Sequence, residues 1–416
     1  MAGIATVACM AFGGSAHALA AQRYASPAGS GSACTSGTPC DLQTAVNGSS
    51  AGDEVIVNPG DYGPIAATIG PLNNNTYIHG VYGQPPPRLH FSSGYLRIDN
   101  PGDRGSYLQV DGATTPPLQV GGTASEGDQI YAHATANNAC VVYGTLIDSV
   151  CWASGASDNA ISGAGSATFT PILRNVTAEG TGAGGVGIEY HASSGGHLTL
   201  TAVNVIVHGT STDIQVAATA PDTMTVNIDH SNFVTATPTG SGASINSTAT
   251  QGQPPLFVNA AGGDFNEVPG SPTINAGVTS AANGPFDLLG RPRTIGGATD
   301  IGAYEYDSFN GVTLGGGKAR VKKGKAPVSV GCPAGIPSPC AGTLTLSYRH
   351  GSKTSVAGKA SFSIAAGVTQ KLNVKLKKPA FRRLDDRGKL KVSAFADATD
   401  GAGTHAGTSG KVKLTA

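Results

Sequence analysis

A chain of 416 residues that carries 60 glycines, 6% aromatic residues and only 12% charged residues is built of turns and short strands, which excludes a helix-dominated fold. Its formal charge of zero conceals two unlike parts: residues 1–310 hold seven arginines, no lysine and 22 acidic residues, whereas residues 311–416 hold 19 basic and four acidic residues. The first part therefore excludes chemistry that needs a lysine, and the absence of any recognition motif, together with export, excludes nucleic acid as the expected partner.

Residues 1–20 are small and apolar and end in Ala18-Leu19-Ala20, the pattern of a cleavable secretory signal, whose removal would take Cys9 with it. Six cysteines remain, which allow fifteen connectivities. Pairing of near neighbours (Cys34 with Cys40, Cys140 with Cys151, Cys332 with Cys340) is expected, because small closed loops suit an oxidising compartment. Residues 21–33, rich in Ala, Gly and Ser, read as a flexible segment. A short amphipathic helix at 41–46 and a Val-Ile-Val strand within 53–62 read as the cap and first rung of an all-β domain spanning 34–310. Further rungs are expected at 77–80, 96–98 and 107–110. No stretch approaches the roughly 18 apolar residues of a membrane-spanning helix.

Between residues 138 and 246 a pattern recurs four times. A short apolar strand ends in Ser149, Asn175, Asn204 or Asn232, and a second strand centred on Ile161, Ile188, Ile214 or Ile245 follows about a dozen residues later. Repeats of this length indicate a solenoid with one coil per repeat, read as a right-handed parallel β-helix. The asparagine column is expected to satisfy turn backbone rather than bind a ligand. If the isoleucines point inward, strand alternation sends Ser162, Glu189, Gln215 and Asn246 outward as a polar stripe, bordered by Tyr190 and His191. Glu189 and Asp213 then fall within the window of roughly 5–9.5 Å used by paired-carboxylate glycosidases. They are the candidate catalytic residues, and the stripe is the candidate substrate surface; the bland alternative is a solvated face of an acidic domain. A lyase with an arginine base and Ca²⁺ held by aspartates is represented only by Arg174 and Asp148. His208 and His230 read as turn or surface residues without metal-site spacing, and no resident metal is assigned. Trp152 is expected to pack against the neighbouring disulfide at Cys151.

Residues 254–306 contain Gly263-Asp264-Phe265, Pro269-Gly270-Ser271-Pro272, Asp287, Gly290-Arg291-Pro292-Arg293 and Asp300-Ile301-Gly302-Ala303-Tyr304-Glu305-Tyr306. This segment resembles the terminal segment of the bacterial surface family called choice-of-anchor Q, which closes a β-helix of the pectate-lyase-like fold; Asn275 stands where that family commonly has Asp. The resemblance implies an exported protein with a variable C-terminal attachment module and no agreed catalytic activity.

The change of charge places a linker at 311–318, with Gly315-Gly316-Gly317, before a basic module at 319–416. Alternating strands there, such as Lys371-Leu-Asn-Val-Lys-Leu-Lys377, suggest an immunoglobulin-like β-sandwich. Its lysines either dock on anionic polymer or protect exposed sheet edges. The sequence as a whole is read as a secreted or cell-surface monomer that binds a polysaccharide or cell-wall polymer without catalysis. The competing reading is a glycoside hydrolase or polysaccharide lyase, the latter with Ca²⁺.

Overall fold

The computed structural model describes residues 21–122, 124–334, 336–350 and 353–416; the signal-like segment 1–20, with Cys9, lies outside them. The chain is all-β, with long parallel sheets of 16 and seven strands running through residues 22–248. Successive passes of the chain pair residue for residue. Leu146, Leu173, Ala202 and Ile228 form one column of partners, and Cys140, Ile161, Ile188 and Ile214 form another. Both columns are buried in one continuous core, so side chains some 25 residues apart become vertical neighbours. Such an arrangement is compatible with a stacked solenoid.

The 16-stranded sheet turns a corner along a line of left-handed residues: Tyr107, Gln129, Asp148, Asn175, Asn204 and His230, with φ between 43° and 55°. Positive φ is unfavourable for a side chain with a Cβ, and Asn, Asp and His are the residues that tolerate it best. This corrects the expected polar column at both ends. Asp148, not Ser149, stacks with Asn175 and Asn204, and Asn232 sits two places on, beside Ile206. Ser149 and Ser231 have a different task one residue later, where their Oγ atoms accept from Ile130 N and Val205 N, each at 3.0 Å. The second-strand column is also corrected. Ile245 pairs with Val226 in the 16-stranded sheet, while Ala236 continues the column beyond Ile214.

The expected helix forms at Leu42–Asn47 over the first pass, with Leu42, Ala45 and Val46 buried and Asp41 accepting from Thr44 N at 2.9 Å as its cap. The segment read as flexible instead contributes strand Gln22–Ala25, paired in parallel with Glu54–Val57. All three near-neighbour disulfides are present. Cys140–Cys151 lies inside the core and ties a strand of the seven-stranded sheet to one of the 16-stranded sheet.

Beyond residue 310 a second core lies between a three-stranded sheet and a five-stranded sheet, with Val328, Val374, Leu346 and Val392 among the shared residues. Phe309 and Val312 already belong to this core, and the residues read as a linker form strands Thr313–Leu314 and Gly317–Arg320. A helix at Lys378–Arg387 was not expected from the alternation. Pro379 opens it, left-handed Gly388 ends it, and Ala380 and Leu384 bury its inner face.

Candidate functional site

Ser162, Glu189 and Gln215 are register partners on the outer face of the seven-stranded sheet, as the stripe requires. Glu189 is held by amides: Asn159 Nδ2 donates to Oε2 at 2.5 Å and Gln215 Nε2 to Oε1 at 3.3 Å. His191 is exposed two residues further along the same strand. The other members lie elsewhere. Tyr190 is a core residue at 0% exposure, with its hydroxyl donating to Val142 O at 2.6 Å, because alternation turns it inward between Glu189 and His191. Asn246 belongs to the 16-stranded sheet, where its Nδ2 donates to Asn227 Oδ1 at 3.0 Å. Asp213 is 5% exposed and accepts from the backbone N–H groups of Gly209, Val234 and Thr235 at 3.0, 2.6 and 2.8 Å. Its carboxyl is thereby engaged at a corner at the start of its strand.

Arg174 and Asp148 are committed as well. Arg174 Nη1 donates to Asn283 Oδ1 at 3.2 Å, and the 2% exposed Asp148 pairs with Arg293. His208 is bracketed by Glu179 Oε1 and Asn232 Oδ1 at 3.0 and 2.9 Å, and His230 occupies the left-handed corner. Among the described residues, no group of three or more His, Cys, Asp or Glu is placed to hold a metal ion.

Residues 254–306 explain these commitments, because they run as a strap along the corner line. Asn175 and Asn204 donate to Asn283 O and Val278 O at 3.1 and 3.0 Å, and Gln129 Nε2 donates to Asp287 O at 2.5 Å. Asp287, Arg293, Asp300 and Glu305 of the strap are buried in a knot. Asp287 accepts from Leu289 N, Arg291 N and Glu305 N; Asp300 accepts from Asn275 N and Tyr306 N. Arg293 bonds Asp148, Glu305 and the carbonyls of Gly302 and Ala303. Apolar packing fixes the other edge, where Phe265 meets Trp152 and Phe257 edge-on at 5.8 and 5.3 Å. Trp152 thus turns away from the Cys140–Cys151 bridge and under the strap, since Cys151 takes the inward position. Gly263, at φ 80°, lies so close that a Cβ would stand 2.4 Å from the Trp152 ring.

The strap covers the later passes and leaves the outer surface of the earlier ones open, which creates a cleft along its edge. One part, of about 540 Å³, is lined by Arg88, Asp111, Tyr131, His133 and Trp152 against Gly263, Leu288 and Tyr304. A second part, of about 620 Å³, is lined by Tyr82, Arg104, Glu126, Asp128 and Asp148 against residues 281–290 of the strap. Tyr107, Gln129 and Leu289 belong to both walls.

Stacking assembles this lining. Arg88, Gln109 and Tyr131 form one outward column, and His90, Asp111, His133 and Trp152 form the next. His133 stacks on Trp152 at 3.8 Å and lies 3.7 Å from Asp111, which Arg88 Nε bonds at 2.5 Å. Burial opposes ionisation of Asp111, yet His133 and Arg88 hold its carboxyl below the usual range. In the second part of the cleft, burial and the neighbouring Glu126 push Asp128 up to about 6, and its Oδ1 is buried without a hydrogen-bond partner among the described residues. The wall beyond is aromatic. Tyr82 lies 5.0 Å from Tyr107, the hydroxyls of Tyr77 and Tyr82 both reach Ser106 Oγ, and Arg104 sits over the Tyr77 ring at 5.4 Å.

Of the cleft residues, Asp148 was singled out from the sequence only as a Ca²⁺ ligand beside Arg174, Trp152 only as packing on the disulfide, and Gly263, Gly290 and Tyr304 only as part of the terminal segment; none was read as lining a cleft, although a signal was there. Arg88-Leu-His90, Gln109-Val-Asp111, Tyr131-Ala-His133 and Val150-Cys-Trp152 repeat one inward small or aliphatic residue, or cysteine, flanked by outward functional ones. Compared with models of known protein families and with curated proteins, the chain matches none.

Proposed function

We propose that this chain is an exported right-handed parallel β-helix protein whose cleft binds a polysaccharide, with the basic immunoglobulin-like module serving attachment. The observation that carries the reading is the cleft itself. Aromatic rings supply flat apolar faces for sugar rings, while Arg88, Gln109, Asp111 and His133 supply fixed hydrogen-bonding groups beside them, the composition that orients a polar ligand in a concave site. Three paired disulfides are consistent with an oxidising compartment. The resemblance of residues 254–306 to the choice-of-anchor Q segment is supported in one respect: Asp287, Arg293, Asp300 and Glu305 all have buried structural tasks in closing the strap.

A second reading is favoured by Asp128. A buried carboxyl that keeps its proton near pH 6 is suited to the role of a general acid. This would make the protein a glycoside hydrolase.

The test is a polysaccharide panel offered to the full chain with and without Ca²⁺, read by calorimetry for binding, by reducing ends for hydrolysis and by unsaturated uronate absorbance for lyase cleavage. Binding lost in Tyr82→Ala and Tyr107→Ala but kept in Glu189→Gln supports the cleft. Binding lost in Glu189→Gln and kept in the tyrosine variants moves the site to the stripe.

A further inference from the structure

The basic module carries an arrangement that edge protection and solubility do not require. In the five-stranded sheet, Lys391 of strand Lys389–Thr399 stands directly opposite Lys413 of strand His405–Thr415, and Lys318 of strand Gly317–Arg320 is the register partner of Lys413 on its other side. Three lysines therefore stand abreast on three adjacent strands. The pattern recurs in the three-stranded sheet, where Lys325 faces Lys375.

Like charges directly opposite one another destabilise a sheet. Lysine placed only to blunt an edge or keep the module soluble would stand opposite a neutral residue, as Lys389 does opposite Thr415. Among the described residues no acidic side chain forms an ion pair with these lysines. The module's acidic residues are Asp385, Asp386, Asp397 and Asp400, and the one ion pair found among its described residues joins His405 to Asp397. Asp400 is turned to the backbone N–H groups of Ala402 and Thr404. The Lys391/Lys413 pair lines a cavity of about 950 Å³ together with Lys411, Arg387 from the adjacent helix, Arg349 and Tyr348.

We propose that this face binds a linear acidic polysaccharide carrying one carboxylate per sugar, its chain laid across the strands so that successive carboxylates meet Lys318, Lys413 and Lys391. Neighbouring strands are about 4.8 Å apart, close to the length of one sugar ring, so the row offers one cation per residue of such a polymer. The row itself is lysine, a compact point charge suited to neutralising a repeating anion rather than to the two-pronged grip of a guanidinium. The register partners Ser347 and Ser393, on the same face as Lys391, supply neutral hydroxyls for the sugar beside the charges. This surface lies on the basic module, apart from the residues of the strap cleft, and the proposal does not rest on the reading of that cleft.

The experiment measures binding of the full chain to polygalacturonate and to its fully methyl-esterified form at low and high salt. Three further proteins are compared: Lys318→Gln/Lys391→Gln/Lys413→Gln, the equally charged Lys322→Gln/Lys359→Gln/Lys371→Gln, and Tyr107→Ala. The expected result is binding of the acidic polymer alone, weakened about tenfold or more by salt, lost in the row variant, and retained in the control triple and in Tyr107→Ala. The row variant should melt at or above the temperature of the parent, since it relieves repulsion, and this separates lost binding from lost folding. Equal loss in the control triple overturns the proposal, as does equal binding of the ester or tighter binding of single-stranded DNA. Self-association of the chain that disappears in the row variant also overturns it, because the occupant is then the acidic region of a second copy.

Discussion

Arg293 Nη2 donates to Asp148 Oδ1 across 145 positions of sequence, with both side chains at most 3% exposed. The same guanidinium donates to Gly302 O and Ala303 O at 3.1 Å, so one side chain locks the strap to the corner line and fixes the strap's own last turn. Arg293→Met leaves Asp148, Glu305 and Asp300 buried without their shared cation and is expected to destabilise by about 3–5 kcal/mol. Arg293→Lys is expected to recover little, because one ammonium cannot reach two carbonyls and two carboxylates in fixed directions. Urea unfolding gives the magnitude. Protease cleavage appearing between residues 254 and 306 before global unfolding identifies the strap as the part released.

The fold class and the existence of a repeat were legible because burial on one side of each strand imposes a period-2 pattern that a reader can align by eye. Register was not, because one residue of slip exchanges the two faces. Ser149 and Asn232 look like members of the asparagine column until the left-handed φ of Asp148 and His230 shows which residues turn the corner. Ile245 looks like the next isoleucine after Ile214, but the chain reaches its place early and puts Ala236 there. The cleft was invisible for a different reason. Tyr131 meets Gly263 across 132 residues, and no local pattern encodes which passes the strap will leave uncovered.

Glu267 makes the strap lose stability as pH rises from acid to neutral. It is 7% exposed, bonded to Thr273 Oγ1 at 2.7 Å, and pushed up to about 7 by burial and by the like charge of Asp300. A carboxyl whose folded value exceeds its unfolded value of about 4.3 contributes stability in full below that unfolded value. This contribution is lost as pH rises through about 7. The expected loss is on the order of 3 kcal/mol between pH 4 and pH 8. Glu267→Gln, neutral throughout, should flatten this part of the profile. Identical pH dependence of melting in parent and variant would show that the group is already ionised in the fold.

The Cys140–Cys151 bridge joins two sheets across the core rather than closing a surface loop. Chain entropy alone assigns a closed loop of this length about 3 kcal/mol. Replacing both cysteines with serine adds the cost of buried hydroxyls lacking partners, so the double serine variant should lose more than the double alanine variant. Denaturant midpoints of the two variants measure that difference; equal losses would mean that the hydroxyls find partners.

Asp128 ties ligand binding in the cleft to a proton. A polysaccharide laid over Tyr82 and Tyr107 removes the remaining water from a carboxyl already raised to about 6, and further desolvation favours its neutral form still more. Binding is therefore expected to take up a proton near pH 7, and affinity should fall by up to about tenfold per pH unit as pH rises above 6. Asp128→Asn preserves shape and removes the titration, so its affinity should be flat over the same interval. Calorimetry in buffers of different ionisation enthalpy reads the proton directly. Affinity that is level in the parent protein removes Asp128 from the site. Reducing ends that form with the parent and not with Asp128→Asn, while binding persists, assign the carboxyl to catalysis, since loss of a general acid lowers turnover by about 10²–10⁴ without abolishing recognition.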